Sequence, residues 1–150
     1  MEDGPGNIVW LGTNDCGLIR WNMLTDERKV FLHTADSRSI SSNVIVCLLR
    51  DSKERLWAGT FWGGLNCYDG NRFVHYRADE RGGNSLIYDN VWALAEDAEG
   101  NIWIGTEDAG ISVLNVENGV IRQVKDHKSG NHLVTLAVVP FQDQVYCGLF

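Results

Sequence analysis

The sequence predicts an all-β protein assembled from repeated four-stranded antiparallel units, and three observations carry that prediction. First, the hexad NIWIGT at Asn101 to Thr106 recurs as IVWLGT, ending at Thr13, and as RLWAGT, ending at Thr60. The glycines of these copies, Gly12, Gly59 and Gly105, stand 47 and 46 residues apart. A fainter copy, QVYCGL, puts Gly148 a further 43 on, with Tyr146 in the place of Trp10, Trp57 and Trp103. Self-similarity at such a period marks a repeat architecture. Second, β-branched and aromatic residues alternate, and glycine or asparagine turns interrupt at short intervals, so no stretch reads as a helix. Third, the second and third units align without a gap at an offset of 46: Ser39 with Ser85, Asn43 with Asp89, Leu48 with Leu94, Asp51 with Asp97, Gly64 with Gly110. Four-stranded antiparallel units of this length are the blades of a β-propeller.

Each unit divides into strands in the same order. The first, Val44 to Arg50 or Val91 to Glu96, is a nearly continuous apolar run, as expected of a strand covered on both faces. A polar turn, DSKER or DAEGN, has the length that closes a hairpin. The second strand carries the tryptophan and, two residues on, the glycine, so both face the same side of the pleat. A large indole would then lie against a neighbouring unit where a missing side chain leaves room. The third strand follows a short loop ending in Gly17, Gly64 or Gly110 and places Trp21, Tyr68 and Leu114 at matching positions. A fourth strand, KVFLHT, RFVHYR or VIRQVK, closes the unit as an outer strand with one wet face.

At the amino terminus, Glu2, Asp3, Gly6, Asn7 and Ile8 match Glu96, Asp97, Gly100, Asn101 and Ile102, so the chain starts at the turn after a missing first strand. At the other end Leu133 to Val139 and Val145 to Leu149 supply two strands. The units are therefore 1–38, 39–84, 85–130 and 131–150, with three, four, four and two strands, 13 in all. A closed ring needs roughly four to eight blades of four strands. The expected fold is an incomplete propeller of about three blades plus partial blades. Its terminal blades would expose apolar faces and strand edges, so other blades or a second copy of the chain are the expected partners.

Composition narrows the functions. A 44% hydrophobic fraction with six tryptophans suffices for a packed core. Twenty acidic against 13 basic residues give a net charge of -7, and the basic residues are scattered singly, so no footprint for nucleic acid is visible. The apolar runs are too short to cross a bilayer. No signal peptide follows Met1, so the chain reads as cytosolic or as an exported piece of a longer precursor. Cys16, Cys47, Cys67 and Cys147 lack zinc or redox spacing and read as small apolar residues, with no disulfide placed.

EDAEGNIWIGTEDAGISVLN and RDSKERLWAGTFWGGLNCYD, with the lead-ins SLIYDNV and SISSNVI, resemble the two-component regulator propeller repeat. The resemblance covers most of the chain. It departs in the fourth unit, where PFQDQVYCGLF lacks the tryptophan and threonine, and in the first, where the loop from Asn22 to Arg28 is longer. It implies part of the extracytoplasmic sensor region of a hybrid two-component system, periplasmic in the parent protein. There, tandem propellers precede a β-sandwich, a membrane span, a histidine kinase and often a receiver with a DNA-binding domain. Such proteins are typical of carbohydrate-degrading gut bacteria and sense oligosaccharides. The kinase, receiver and DNA-binding parts are not in this sequence, so the chain would supply ligand binding or its scaffold.

In a four-stranded meander the loop between second and third strands shares a face with the connection to the next blade. That face gathers Asn14 and Asp15, Phe61 and Trp62, Glu107 and Asp108, and also Asn43, Tyr88, Asp89 and Asn90. Aromatic and amide or carboxylate side chains together suit a sugar, so the candidate ligand-binding residues are Trp62, Phe61, Asn14, Asp15, Glu107, Asp108, Tyr88 and Asn90. Trp62 stands out because no repeat partner matches it. Asn43 and Asp89 read as turn residues, Asp51 and Asp97 as openers of hairpins on the opposite face, and Trp10, Trp57 and Trp103 as core. Catalysis finds little support: His33 and His75 read as repeat-matched outer-strand residues, and His127 and His132 lack a metal-ligand pattern. GxSxG, P-loop and HExxH runs are missing. Neither a cofactor nor a catalytic group is expected. A ligand sensor leads, an interaction scaffold without a small-molecule ligand is the alternative, and a propeller enzyme comes third.

Overall fold

A computed structural model describes residues 7–79, 81, 83–107, 110–124, 135–141 and 144–149. The expectations resting on Glu2, Asp3, Gly6, Asp108, His127 and His132 lie outside these described residues. Among them, 13 strands and no helix form four antiparallel sheets. The first sheet holds β1 (Ile8–Gly12), β2 (Leu18–Asn22) and β3 (Glu27–Phe31) in order. The second holds β4 (Ile45–Arg50), β5 (Leu56–Thr60), β6 (Gly64–Tyr68) and β7 (Phe73–Tyr76). The third holds β8 (Val91–Glu96), β9 (Ile102–Thr106), β10 (Gly110–Asn115) and β11 (Val120–Val124), and the fourth β12 (Thr135–Phe141) and β13 (Gln144–Leu149). Every sheet is a plain meander, and the sheets stack as blades of an open, incomplete propeller.

The tryptophan and glycine of the repeat explain the stacking. Trp57 and Gly59 share the face of the second sheet that turns to the third. Trp57 is fully buried in one core with Leu65, Leu86, Val91, Ile102 and Leu114. Leu56 and Ala58, on the opposite face, join Leu18, Ile40 and Phe73 in the core shared with the first sheet. A Cβ at Gly59 would lie 2.6 Å from Val91 Cγ1 and one at Gly12 2.7 Å from Ile45 Cγ2, both atoms belonging to the next blade's first strand. At both positions the missing side chain lets the next blade's first strand come close, and at Gly59 it also leaves room for Cys47 Sγ of the same blade. Gly59→Ala should cost about 1–3 kcal/mol through overpacking, measured by chemical denaturation; a neutral result would show that the blades separate freely at this point.

The threonine of the hexad and the glycine of the following loop shape the face that carries the candidate site. Thr13, Thr60 and Thr106 each donate their hydroxyl to the carbonyl of Gly17, Gly64 and Gly110, at 2.7, 2.8 and 2.8 Å. Gly64 has φ 72°, and a Cβ there would stand 2.3 Å from the Tyr76 carbonyl oxygen, so only glycine lets the third strand start beside the fourth.

Strand register corrects one sequence expectation. Leu18 pairs with Phe31 and Leu65 with Tyr76, so Phe31 and Tyr76 are the equivalent residues. His75 therefore lies inside β7, whereas His33 follows β3 and matches Ala78. The two histidines are not repeat partners. The physical reason is the β2–β3 connection, which is longer than its counterpart in the second blade: Trp21 pairs with Arg28 but Tyr68 with Phe73. The apparent match of KVFLHT to RFVHYR is shifted by that difference. For the same reason β3 spans Glu27–Phe31 and stops before His33.

Candidate functional site

The loop Phe61, Trp62, Gly63 joins β5 to β6 and rises on the face where the second blade passes its chain to the third. The backbone of Phe61 donates to the Val44 carbonyl (3.1 Å), and Gly64 donates to that of Asp89 (2.8 Å), which ties loop and connection together. Trp62 is held from both sides. Its N–H donates to Oδ1 of Asn90 at 2.7 Å, and its carbonyl accepts from Nη2 of Arg77 at 3.1 Å. Asn90, almost fully buried, donates in turn to Oε2 of Glu107 at 2.7 Å.

Trp62 has φ 59°. A bulky side chain in the left-handed region costs about 1–2 kcal/mol, and the two flanking hydrogen bonds hold it there. The side chain is nonetheless 58% exposed. Its ring meets Tyr88 edge-on at 5.9 Å and Phe61 at 5.7 Å. Trp62, Ala78, Asp79, Ile87, Tyr88 and Asp89 line a cavity of about 300 Å³. One wall is aromatic and apolar, and carboxylates supply the polar part. A wider hollow of about 630 Å³ lies beside it, and His33, His75 and Arg77 are among its lining residues. Arg77 has contacts toward both, and its Nε also donates to Oδ2 of Asp89 at 3.1 Å.

Of the sequence candidates, the fold brings together Trp62, Phe61, Tyr88, Asn90 and Glu107. Asn90 and Glu107 act beneath the loop as its supports. Asn14 and Asp15 are exposed in the β1–β2 loop and make no hydrogen bond to this group among the described residues, and Asp108 lies outside them. Asn43 and Asp89 do turn work: each accepts a backbone N–H, from His33 and Ala78, at 2.7 Å. Arg77, Asp79 and Ile87 were not singled out by sequence. The sequence carried little signal for Arg77: the equivalent position holds Leu32 in the first blade and Lys125 in the third, so a charge there is not peculiar to the second blade.

The remaining reactive groups serve structure. Nδ1 of His33 donates to the Ile40 carbonyl (2.9 Å) and Nε2 of His75 to that of Ser39 (2.7 Å). Burial pushes the Cys47 thiol up to about 12 and the Cys67 thiol up to about 11, which keeps both protonated and poorly nucleophilic. Cys16, Cys47 and Cys67 are free thiols. Among the described residues no cluster of three or more His, Cys, Asp or Glu side chains is placed to hold a metal ion.

On the opposite face the hairpin aspartates carry more than their turns. Asp51 Oδ1 accepts the N–H groups of Lys53 and Arg55, and its Oδ2 accepts the Trp57 indole N–H at 2.8 Å and Nε of Arg55 at 2.6 Å. Asp97 repeats the pattern with Glu99, Asn101 and the Trp103 indole, the last at 2.7 Å. Aspartate and tryptophan six residues apart thus form one unit of the repeat.

Comparison with known proteins agrees with this architecture. The sequence pattern of the two component regulator propeller matches residues 39–62 and 85–108. The extracellular domain of the hybrid two component system BT4673 from B. thetaiotaomicron superposes with a TM-score of 0.77, at 20% identity over 96% of this chain and 19% of that one. That of BT3049 from the same organism gives 0.71, at 21% identity over 89% of this chain and 20% of the other. The chain thus spans about a fifth of the length of these structures. A search of curated proteins returned no match. At these identities the likeness establishes the fold, and the sequence pattern of the two component regulator propeller is matched in two segments of it, residues 39–62 and 85–108.

Proposed function

We propose that this chain is a ligand-sensing part of the extracytoplasmic, periplasmic region of a hybrid two-component signalling protein, and that its ligand is an oligosaccharide. The observation that carries the reading is Trp62: a tryptophan fixed in a disfavoured backbone conformation, bonded through its N–H and carbonyl, yet presenting most of its ring to solvent. Backbone strain of this kind concentrates at functional positions. A sugar ring would stack on the indole, and Asp79 and Asp89 at the cavity wall would accept its hydroxyls. The extracellular placement of the fold's relatives and the repeat itself support the signalling context. The chain has no role here as an enzyme; the kinase activity belongs to the parent protein.

The exposure of Trp62 also favours a second reading, in which another protein surface covers it and the propeller is a scaffold. Titrating the protein with a panel of neutral and acidic oligosaccharides, followed by tryptophan fluorescence and calorimetry, separates the two. Saturable binding that Trp62→Ala weakens tenfold or more, with the melting temperature unchanged, is the expected result. Binding that survives Trp62→Ala would move the site elsewhere, and the lack of saturable binding by any glycan would favour the scaffold.

A further inference from the structure

Two successive blade junctions each carry a hollow on the Trp62 face, and the two differ in chemistry. The cavity lined by Trp62 lies where the second blade passes to the third, and the wider hollow of about 630 Å³ where the first passes to the second. They are counterparts in the repeat. His33 and Ala78 donate their backbone N–H at matching points, to Asn43 and Asp89, and His33, Thr34 and Ser41 line one hollow at the places that Ala78, Asp79 and Ile87 hold in the other. Where the Trp62 cavity has aromatic rings and carboxylates, the first junction gathers two imidazoles, serine hydroxyls and the Arg77 guanidinium.

The fold itself does not demand those imidazoles. Ala78 stands in for His33 one blade on. Gln123 stands in for His75: it pairs with Ser112 as His75 pairs with Asn66, and its Nε2 donates to the carbonyls of Ser85 and Leu86 as Nε2 of His75 donates to that of Ser39. Each ring spends one nitrogen on the connecting segment, Nδ1 of His33 on Ile40 and Nε2 of His75 on Ser39. Nε2 of His33 and Nδ1 of His75 have no hydrogen-bond partner among the described residues. Asp36, the carboxylate on the hollow's wall, is already engaged by Nε and Nη2 of Arg38, at 3.2 and 3.0 Å. Arg77 bonds Asp89 and the Trp62 carbonyl, and a guanidinium has N–H donors beyond these two.

We infer that the first junction is a subsite for an anionic group, the carboxylate or sulfate ester of an acidic sugar, beside a neutral sugar unit stacked on Trp62. The inference rests on the sugar reading of the Trp62 cavity and narrows the ligand to acidic oligosaccharides. Asp79 and Asp89 would repel an anion in that cavity, whereas the Arg77 guanidinium suits one next to it. Each imidazole takes up a proton on its unused nitrogen to donate to the anion, a step histidine makes readily near neutral pH. The other charged groups on the hollow's wall are Arg77 and the Arg38-paired Asp36. The bound state therefore holds more protons than the free one, and affinity rises as pH falls.

Calorimetry of the full chain with matched ligands tests this: uronic-acid oligosaccharides against their carboxyl-reduced counterparts, and sulfated against desulfated ones. A charged member should bind tenfold or more tightly than its neutral counterpart at pH 6, with the advantage shrinking at pH 8. His33→Ala combined with His75→Gln copies the next blades, so it should keep the melting temperature and the neutral ligand's affinity while abolishing the charged ligand's advantage. Should that variant melt early, His75→Gln alone should reduce the pH dependence. Charged and neutral members that bind equally, with Trp62→Ala weakening both, would overturn the anionic subsite and leave the Trp62 reading standing. A charge advantage that survives in the variants would also overturn it, and failure of every member to bind would overturn both readings.

Discussion

Replacing Trp57 by alanine should lower stability by about 3–5 kcal/mol, the range for truncating a buried aromatic side chain. The indole is wholly enclosed between the second and third blades, its ring centroid is 5.8 Å from that of Tyr76, and its N–H is bonded to Asp51. Truncation would open a cavity where two sheets meet and strip Asp51 of one of its donors. Trp62→Ala is the matched control. Its ring is mostly exposed, and surface changes usually stay within about 0.5 kcal/mol. Urea unfolding of both variants decides the matter: equal losses would mean that the repeated and the unmatched tryptophan do the same work, and the assignment of Trp62 to a binding role would fall.

The second large effect should come from Asp51→Ala, at about 2–4 kcal/mol, since an orphaned buried donor alone costs roughly 1–3 kcal/mol and the Arg55 guanidinium loses its partner. The side chain of Asp51 is fully enclosed while that of Arg55 is 29% exposed, so solvent offsets part of the arginine's loss. The carboxylate also gives a pH signature. Burial raises the Asp51 pKa, but the bonds from Trp57 and Arg55 outweigh it and hold it below the ordinary value of 3.8. Asp97 is held down in the same way, against its own burial, by Trp103 and Asn101.

A pKa depressed on folding stabilises above the unfolded value and loses that contribution as pH falls through the folded one. Stability should therefore hold at neutral pH and drop progressively below about pH 4. Asp51→Asn keeps an acceptor for the indole and should lose less than Asp51→Ala, with a shallower acid slope. An unchanged slope in Asp51→Asn would show that other carboxylates govern acid unfolding.

Much of the fold was legible in the sequence because the repeat is enforced blade by blade. Trp10, Trp57 and Trp103 and the glycines two residues later recur because the blade junctions repeat, and the loop glycines at 17, 64 and 110 recur because each blade starts its third strand against the carbonyl that ends its fourth. Period, strand order and the all-β class follow from that recurrence, as does the assignment of these tryptophans to the core. The role of Asp51 as indole acceptor was half visible: its turn could be read from the sequence, but the bond to Trp57 requires knowing how the hairpin curls.

The repeat also misled where connection lengths differ, as at His33 and His75, because a two-letter similarity cannot reveal which residue pairs across the strand. The candidate site depended on tertiary structure for a different reason. Trp62 reaches Asn90 across 28 residues and Arg77 across 15, contacts that exist only once the loop of one blade meets the connection to the next. The sequence by itself determined the blades, since their pattern is local and repeated; the docked sheets alone decided which loops converge, which faces stay open, and which tryptophan is held out to solvent.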